Sequence, residues 1–281
     1  MAPEDALSVA PPIVTLTTDF GLRDAYVGVV KGVILSRAPS VRIVDLSHEV
    51  SPQNVLEAAF LLESAWRFFP ALSVHLVVVD PGVGTARRLL ALAVHGQLFV
   101  GPDNGCLSAA LPSIARGERR AGAGYEARPL DLPNEVVAVS IENESLMLQP
   151  RSATFDGRDV FAPAVAQLAL GGLIVDLGPR IESMLAFPAF VAPESGASLD
   201  GRVIHIDHFG NAITDIRAAD VPASATFSIA DKTVRFARTY AAAEGPTALA
   251  GSAGFIEIAV PNGSAAGALG VRLGEAVTAL L

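Results

Sequence analysis

Cysteine is almost absent from the sequence, which has only Cys106 in 281 residues. One cysteine cannot form an internal disulfide bond and has no cysteine partner for a metal site. Cys106 follows the turn sequence "GPDNG", so we expect it to fill space in the core. The alternative is a reactive thiol, because a helix N-terminus lowers the thiol pKa. The histidines also lack metal-ligand spacing: His48, His75, His95, His205 and His208. The sequence therefore favours chemistry without a metal or a cofactor.

Positive charge is scarce as well. Acidic residues outnumber basic ones by 29 to 20, the net charge is -9, and no run is rich in Lys or Arg. Because nucleic-acid affinity comes mostly from clustered positive charge, we expect no nucleic-acid partner. Hydrophobic residues make up 51% of the chain and charged residues 17%, a balance typical of a compact globular protein.

Long apolar runs are missing too. The most apolar region, "FFPALSVHLVVVDPG", is interrupted by Pro70, His75 and Asp80, and it falls short of the roughly 18 residues of a membrane span. The opening "MAPEDALSVAPP" has neither the basic stretch nor the apolar core of a secretory signal. We therefore expect a cytoplasmic protein without a membrane partner.

Three familiar motifs are absent. No GxGxxG follows the first predicted strand, and no GxxxxGK[ST] occurs, so the sequence lacks a dinucleotide fingerprint and a phosphate loop. No GxSxG occurs either, which disfavours an α/β-hydrolase.

The N-terminal part alternates between predicted strands and helices. Strands "IVTLTT", "VRIVDLS" and "LSVHLVVVD" are separated by helices near 24–37 and from the start signal Ser51-Pro52 to about 69. Further apolar stretches and a helix from about 158 to 171 follow. This alternation predicts an α/β domain over residues 1–188, with a mainly parallel sheet flanked by helices.

The pattern changes after Pro188. Short strand-like runs with frequent glycine follow, among them "GRVIHIDHFGNAITDI", "ATFSIADKTVRFA" and "GFIEIAVPNGS". We predict a smaller all-β, barrel-like domain over residues 198–281.

Aspartates follow two of the predicted strands: Asp19 in "TTDFG" and Asp80 in "VVVDPGVGTARR". Ligands of open α/β sheets bind outside the carboxyl ends of the strands, so both aspartates are candidate site residues. The alternative is that Asp-Phe-Gly and Asp-Pro-Gly only form turns.

The stretch "SATFDGRDVFAPAVAQLA" places Asp156, Arg158 and Asp159 around one glycine before an apolar helix. A structural interpretation is that Asp and Gly form a turn, Asp159 caps the helix and Arg158 neutralises its neighbours. A functional interpretation is that Asp156 forms part of a pocket wall.

Taken in order, "TTDFG", "VDPGVGTARR", "GPDNG", "TFDGRDVFAPAVAQLA", "IDHFGN" and "GSAGFIEIAVPNGSA" resemble the S-adenosyl-L-methionine (SAM) hydrolases. This family is also called the SAM hydroxide adenosyltransferases and is related to fluorinase and chlorinase. The resemblance runs from about residue 13 to 272. It implies an α/β domain followed by a β-barrel domain, and a homotrimer with SAM held at subunit interfaces. It also implies cleavage of SAM to adenosine and methionine by attack of water or hydroxide at the ribose 5′ carbon.

The resemblance further implies a catalytic set. The family's Asp and Arg correspond to Asp80 and Arg87, and its His in "TFHGRD" corresponds to Asp156. Two alternatives follow for this departure. Asp156 either acts as a second carboxylate that shares protons with Asp80, or it is a turn residue and the pair of Asp80 and Arg87 suffices.

A substrate-binding set is implied in the same way. Asp19 matches the ribose-binding Asp, Tyr26 and Phe155 match pocket walls, and Ser252 matches a contact to the methionine carboxylate. The other matches are Asp207 for the methionine ammonium, Phe209 for stacking, Asn211 for the adenine, and Asn262, whose backbone meets the adenine edge. The alternative for 207–211 is a simple hairpin turn.

Two other functions stay open at this point. A halogenase would deliver chloride or fluoride to the same carbon, but the fluorinase has an uncharged tyrosine where Asp80 stands, and a fixed carboxylate repels a halide. A protein that binds SAM or adenosine without catalysis would keep the pocket alone. The missing histidine at position 156 favours that function.

Overall fold

The computed structural model describes residues 11–119, 123–192 and 194–281. They divide into two compact units. The first, here called the α/β unit, comprises the chain up to Leu111 and Arg128–Ala186. The second, here called the barrel unit, comprises Pro112–Ala127 and Phe187–Leu281. Each unit has its own hydrophobic core.

The strands, in chain order, are β1 (Ile13–Thr18), β2 (Arg42–Ser47), β3 (Val74–Val78), β4 (Leu89–Val94), β5 (Gln97–Pro102), β6 (Arg128–Asp131), β7 (Val137–Ser140), β8 (Ser183–Ala186), β9 (Glu194–Ser195), β10 (Ser198–Ile206), β11 (Ala212–Arg217), β12 (Thr226–Ile229), β13 (Lys232–Phe236), β14 (Thr247–Ala250), β15 (Phe255–Ala259) and β16 (Ala276–Leu280). The α-helices are α1 (Tyr26–Arg37), α2 (Val55–Ala65), α3 (Ser113–Arg116), α4 (Ala162–Ala169) and α5 (Ala265–Leu269). A π-helical turn, Gly157–Phe161, leads directly into α4.

The α/β unit is built on a six-stranded sheet in the order β2-β1-β3-β5-β4-β7. Strand β1 pairs in parallel with β2 and β3, and β3 pairs in parallel with β5, while β4 runs antiparallel to β5 and β7. Strands β1 and β3 are almost wholly buried, as their continuous apolar character requires. The predicted α/β fold with a mainly parallel sheet is confirmed.

Helices α1 and α4 pack against each other in the α/β unit. Helix α1 buries Val27, Val30 and Ile34, the stripe that the sequence pattern predicts. The predicted start of α2 is wrong: the helix begins at Val55, and the side chain of Asn54, not Ser51, accepts from a backbone N–H of its first turn.

The barrel unit contains an eight-stranded sheet in the order β11-β15-β14-β13-β12-β16-β10-β9. Strand β10 also pairs with β11, so seven of the strands close into a ring. Alternate residues point inward, and Phe227, Ile256 and Ile258 fill the interior. The predicted β-barrel architecture is confirmed.

A segment from the middle of the chain, 112–127, belongs to the barrel unit. Its Arg119 pairs with the fully buried Asp215 at 3.0 Å, and the Tyr125 hydroxyl donates to the same carboxylate at 2.8 Å. Burial, reinforced by Asp215, raises the pKa of Tyr125. A buried ion pair with satisfied hydrogen bonds therefore holds this segment on the barrel.

Cys106 is fully buried, and burial, with the nearby charges of Asp80 and Asp103, raises the pKa of its thiol well above the ordinary value. The space-filling interpretation therefore holds and the reactive-thiol alternative does not. Within the described ranges, no three His, Cys, Asp or Glu side chains are grouped so that they would hold a metal ion. None of the helices described is both long and apolar enough to cross a membrane.

Candidate active site

The end of the α/β sheet carries a cavity of about 270 Å³. Thr18 of β1 lies opposite Val78 of β3, so the segments that follow these neighbouring strands start side by side. Asp19 and Asp80 line the cavity from these two segments. The parallel pairing of β1 and β3 places both aspartates beyond the carboxyl ends of neighbouring strands, where ligands of open α/β sheets bind.

Asp80 forms a two-point ion pair with Arg87. The Nε of Arg87 donates to Oδ1 of Asp80 at 2.6 Å, and its Nη2 donates to Oδ2. Both side chains are buried, with 9% of Arg87 and 6% of Asp80 exposed. This fork geometry fixes the orientation of the carboxylate in the cavity wall.

The loop between the two members of the pair is shaped by glycines. A Cβ on Gly82 would lie 3.1 Å from Cδ of Arg87. Gly84 has a φ of +81°, and a Cβ there would lie 2.8 Å from the carbonyl oxygen of Ala153. The loop therefore packs closely against the segment before Asp156 because it has no side chain at Gly84.

Asp156 joins this pair. The Nη2 of Arg87 donates to Oδ2 of Asp156 at 2.7 Å, and only 3% of the Asp156 side chain is exposed. Burial lowers the pKa of Arg87, but its hydrogen bonds to Asp80 and Asp156 outweigh burial and raise the pKa above the ordinary value. Arg87 therefore remains a cation between two carboxylates.

Arg151 is a fourth member that sequence reasoning missed. Its Nε and Nη2 donate to Oδ1 of Asp156 at 3.0 and 2.8 Å. Arg151 lies five residues before Asp156, close in sequence. It falls outside the motif that contains Asp156, so the sequence gives only a weak signal for it. Two buried carboxylates beside one arginine leave one negative charge unbalanced, and this imbalance predicts a second cation nearby.

Arg158 and Asp159 have the structural role that was predicted for them, with one correction. Arg158 pairs with Asp159 at 2.6 Å, and Asp159 accepts from the backbone N–H of Ser152 at 2.7 Å. The helical segment begins at Gly157, so Asp159 lies inside the first turn and does not cap it. The pair closes the loop that carries Asp156.

Asp19 has a backbone partner that sequence reasoning missed. Its Oδ2 accepts from the backbone N–H of Gln53 at 2.8 Å. Gln53 has a φ of 65°, an unfavourable backbone for a residue with a side chain, and it lines the same cavity. The contact orients the Asp19 carboxylate.

Aromatic side chains form the adjoining wall. Tyr26 and Phe155 meet edge to face with their ring centroids 5.4 Å apart, and Phe20 contacts both. The three line a neighbouring cavity of about 400 Å³, where half of Tyr26 is exposed. Phe155 lines both cavities.

A third cavity, of about 660 Å³, lies in the barrel unit. Phe209, Asn211, Tyr240 and Asn262 line it. Phe209 is 74% exposed, so its ring is available to a flat ligand. Ser252 is exposed in the turn between β14 and β15 and lies outside the lining of this cavity.

Asp207 holds the turn that carries Phe209 and Asn211, two residues of this cavity lining. Its Oδ1 accepts from the backbone N–H groups of Phe209 and Asn211 at 2.9 Å each, and its Oδ2 accepts from Nδ2 of Asn211 at 2.9 Å. Gly210 has a φ of +81°. Residues 207–211 therefore form a tight turn between β10 and β11, and this turn presents Phe209 and Asn211 to the cavity.

Tyr240 adds a polar group that sequence reasoning missed. Its hydroxyl donates to Glu257 and lies 3.4 Å from Nδ2 of Asn211. Burial and the hydrogen bond to Glu257 raise the pKa of Tyr240 to about 12. Tyr240 therefore stays a neutral phenol at neutral pH.

The chain thus combines an α/β unit, which carries a carboxylate–guanidinium cluster, with a closed β-barrel. The SAM hydroxide adenosyltransferase N-terminal domain matches residues 14–178, and the C-terminal domain of the same name matches residues 201–278. The chain belongs to the SAM hydroxide adenosyltransferase family.

Relatives of the chain carry more specific names. An (R)-S-adenosyl-L-methionine hydrolase from Thermus thermophilus is 41% identical over 267 residues, which cover 94% of this chain and 97% of that protein. A fluorinase from an Actinoplanes species is 30% identical over 238 residues, covering 75% of this chain and 73% of that protein. A crystal structure of an uncharacterized conserved protein from Thermotoga maritima superposes with a TM-score of 0.80 at 33% identity, covering 96% and 100% of the two chains.

Proposed function

We propose that the protein hydrolyses SAM to adenosine and L-methionine by attack of an activated water at the ribose 5′ carbon. The observation that carries this proposal is the buried ion pair that Arg87 forms with Asp80, a carboxylate that lines the same cavity as Asp19. The higher identity to the hydrolase than to the fluorinase supports hydrolysis over halogenation.

The chemistry of SAM suits this cluster. The sulfonium leaves as a neutral thioether, so the leaving group needs no general acid. The protein has only to place a water in line with the carbon–sulfur bond and to exclude bulk solvent. No metal or cofactor has a part in this step.

Asp80 is the proton acceptor in this proposal. Both of its oxygens already accept from Arg87, and each carboxylate oxygen has a second lone pair for a water. The proton passes to Asp80 as the oxygen attacks, and the Arg87 cation stabilises the developing hydroxide charge. Asp80 is the carboxylate better placed for this role, because it accepts two hydrogen bonds from one arginine, whereas Asp156 accepts three from two arginines.

The remaining residues bind the substrate. Asp19 accepts from the ribose hydroxyls, and Tyr26 and Phe155 pack against the ligand. Asn211 and the backbone at Asn262 receive the adenine, with Phe209 stacked on it. Two further contacts rest on the family resemblance alone: Asp207 with the methionine ammonium and Ser252 with its carboxylate.

The homotrimer that we propose rests on the resemblance, and the cytoplasmic location rests on the sequence pattern. The protein forms a homotrimer in the cytoplasm, with substrate bound at the subunit interfaces. Light scattering of the purified protein measures its mass in solution, and a monomer would contradict the trimer.

A non-catalytic SAM-binding protein is the second candidate, and the aspartate at position 156 is the observation that favours it. Against it, Asp156 leaves the contact between Asp80 and Arg87 intact. Hydrolysis therefore remains the better supported function.

One product assay separates the candidates. The purified protein is incubated with SAM, with and without added chloride or fluoride, and the products are separated by chromatography. Adenosine and methionine in equal amounts support hydrolysis. A 5′-halo-5′-deoxyadenosine supports a halogenase, and unchanged SAM with measurable binding supports a binding protein.

A further inference from the structure

The cluster in the α/β unit is a chain of four alternating charges. Arg151 donates to Asp156, Asp156 accepts from Arg87, and Arg87 donates to Asp80. The inner three side chains are at least 91% buried, while 41% of Arg151 is exposed. Arg151 is therefore the end of the chain that faces solvent.

Arg151 balances the charge of the buried part. Asp80, Arg87 and Asp156 alone would place two carboxylates and one guanidinium out of water, with one negative charge in excess. An uncompensated buried charge is strongly destabilising. With Arg151 the cluster has two carboxylates and two guanidinium groups, so its formal charges balance.

The contact also decides which oxygen of Asp156 meets Arg87. Both donors of Arg151 converge on Oδ1 of Asp156, at 3.0 and 2.8 Å, and Oδ2 is left to Arg87 at 2.7 Å. Without Arg151, the carboxylate would be free to rotate and to draw Arg87 away from Asp80. Arg151 is thus linked to Arg87 through the Asp156 carboxylate.

Arg151 does not line the cavity that contains Asp19 and Asp80. It lines a separate cavity of about 270 Å³ with Gly84 and Thr85, and Asp156 forms part of both walls. Any influence of Arg151 on the reaction therefore passes through Asp156.

We infer that Arg151 is a positioning residue for the proposed hydrolysis, because it holds Asp156 as the carboxylate that orients Arg87 toward Asp80. This inference rests on the proposed function. It also resolves the role of Asp156: a fixed anion between two arginines, which takes no proton from the water. An imidazole at this position would not require the same cation.

The test compares three variants for SAM turnover. Arg151→Gln should lower kcat roughly 10- to 100-fold with little change in KM, since small displacements of catalytic groups cost this much. The acidic limb of its kcat–pH profile should also shift to higher pH. Arg151→Lys should restore part of kcat. Asp156→His should make turnover insensitive to Arg151→Gln in the double variant.

A matched control is Arg67→Gln, which removes another partly exposed arginine that pairs with a buried glutamate, at 3.6 Å from Glu63. It should leave kcat and the pH profile unchanged. An Arg151→Gln variant with kcat within twofold of the wild type would overturn the inference. An equal effect of Arg151→Gln in the Asp156→His background would overturn it as well.

A crystal structure of Arg151→Gln gives a readout that does not depend on activity. Displacement of Asp156 or Arg87 supports the positioning role, and unchanged side chains contradict it. If the wild type forms no adenosine, the proposed function fails, and this structure still decides the role of Arg151.

Discussion

Asp80 is the side chain on which the proposed reaction depends most, because it has to accept a proton while it is held by Arg87. Asp80→Asn keeps the shape of the side chain and removes its charge. We expect kcat to fall roughly 10²- to 10³-fold with SAM binding retained. Turnover assays give kcat, and calorimetric titration of SAM gives the dissociation constant.

The control for this prediction is Asp176→Asn, which removes an exposed carboxylate at a distance in sequence from the cluster. Its kcat should equal that of the wild type. Turnover of Asp80→Asn within a few-fold of the wild type would remove Asp80 from the mechanism.

Asp19 is predicted to act in binding and not in chemistry. Asp19→Asn still accepts the Gln53 N–H with its one oxygen, but it no longer accepts two ribose hydroxyls. Hydrogen bonds to a charged acceptor contribute about 1.5–3 kcal/mol, so we expect KM to rise roughly 10- to 100-fold.

The exposed Asp24 supplies the comparison, since Asp24→Asn removes a nearby charge and should leave KM unchanged. Steady-state kinetics over a range of SAM concentrations measures both variants. A fall in kcat at constant KM for Asp19→Asn would place Asp19 in the chemical step instead.

The loop of residues 81–86 is the element whose shape decides the site. Gly84→Ala places a Cβ 2.8 Å from the Ala153 carbonyl oxygen, at a φ of +81°. We expect a loss of about 1–3 kcal/mol in unfolding free energy and a clear fall in kcat, because the loop has to move away from the segment that carries Asp156.

Gly96 allows the backbone effect to be separated from the contact. It has a φ of +71° in the β4–β5 turn, and a Cβ there would meet nothing within 4 Å. Gly96→Ala should therefore lose stability through its backbone alone and keep kcat. Chemical denaturation and turnover are measured on both variants. Equal kcat values would show that the loop tolerates displacement.

The sequence predicts most of the helices and strands, but it predicts less well which elements pack or pair with each other. The stripe of α1 and the apolar run of β3 follow from periodicity, because burial selects apolar side chains at regular spacing. The sequence predicts a barrel, but it does not show that β10 and β11 are the strands that close it or that 112–127 packs on it. Both depend on contacts between residues far apart in the chain, which leave no periodic signal.

At the scale of the whole molecule, the buried His75 couples stability to pH. It lies between Thr15 and Gln97, at 2.8 and 2.5 Å, and burial lowers its pKa from 6.5 to about 4 despite the hydrogen bond to Gln97. The unfolded chain therefore binds a proton near pH 6.5 and the folded chain only near pH 4. We therefore expect His75 to cost no stability above pH 6.5 and to lower the stability as the pH falls toward 4, by up to about 3 kcal/mol.

Denaturant unfolding at a series of pH values measures this loss. His75→Gln should flatten the change between pH 6.5 and 4, although the variant starts from a lower stability. His208→Gln removes an exposed histidine and should keep the full change. A steep change in His75→Gln would assign the pH dependence to other groups.

The sequence by itself determined the α/β and all-β architectures, the place of Asp19 and Asp80 at one sheet edge, and the family. These properties follow from local periodicity and from motifs that the chain carries in order. Only the tertiary structure decided which cation meets which carboxylate. Arg88, two residues beyond the PGVGTA stretch, pairs with Asp103, while Arg87 and Arg151 hold Asp156. Charge alone does not distinguish these arginines, because the choice of partner depends on distances that only the folded chain sets.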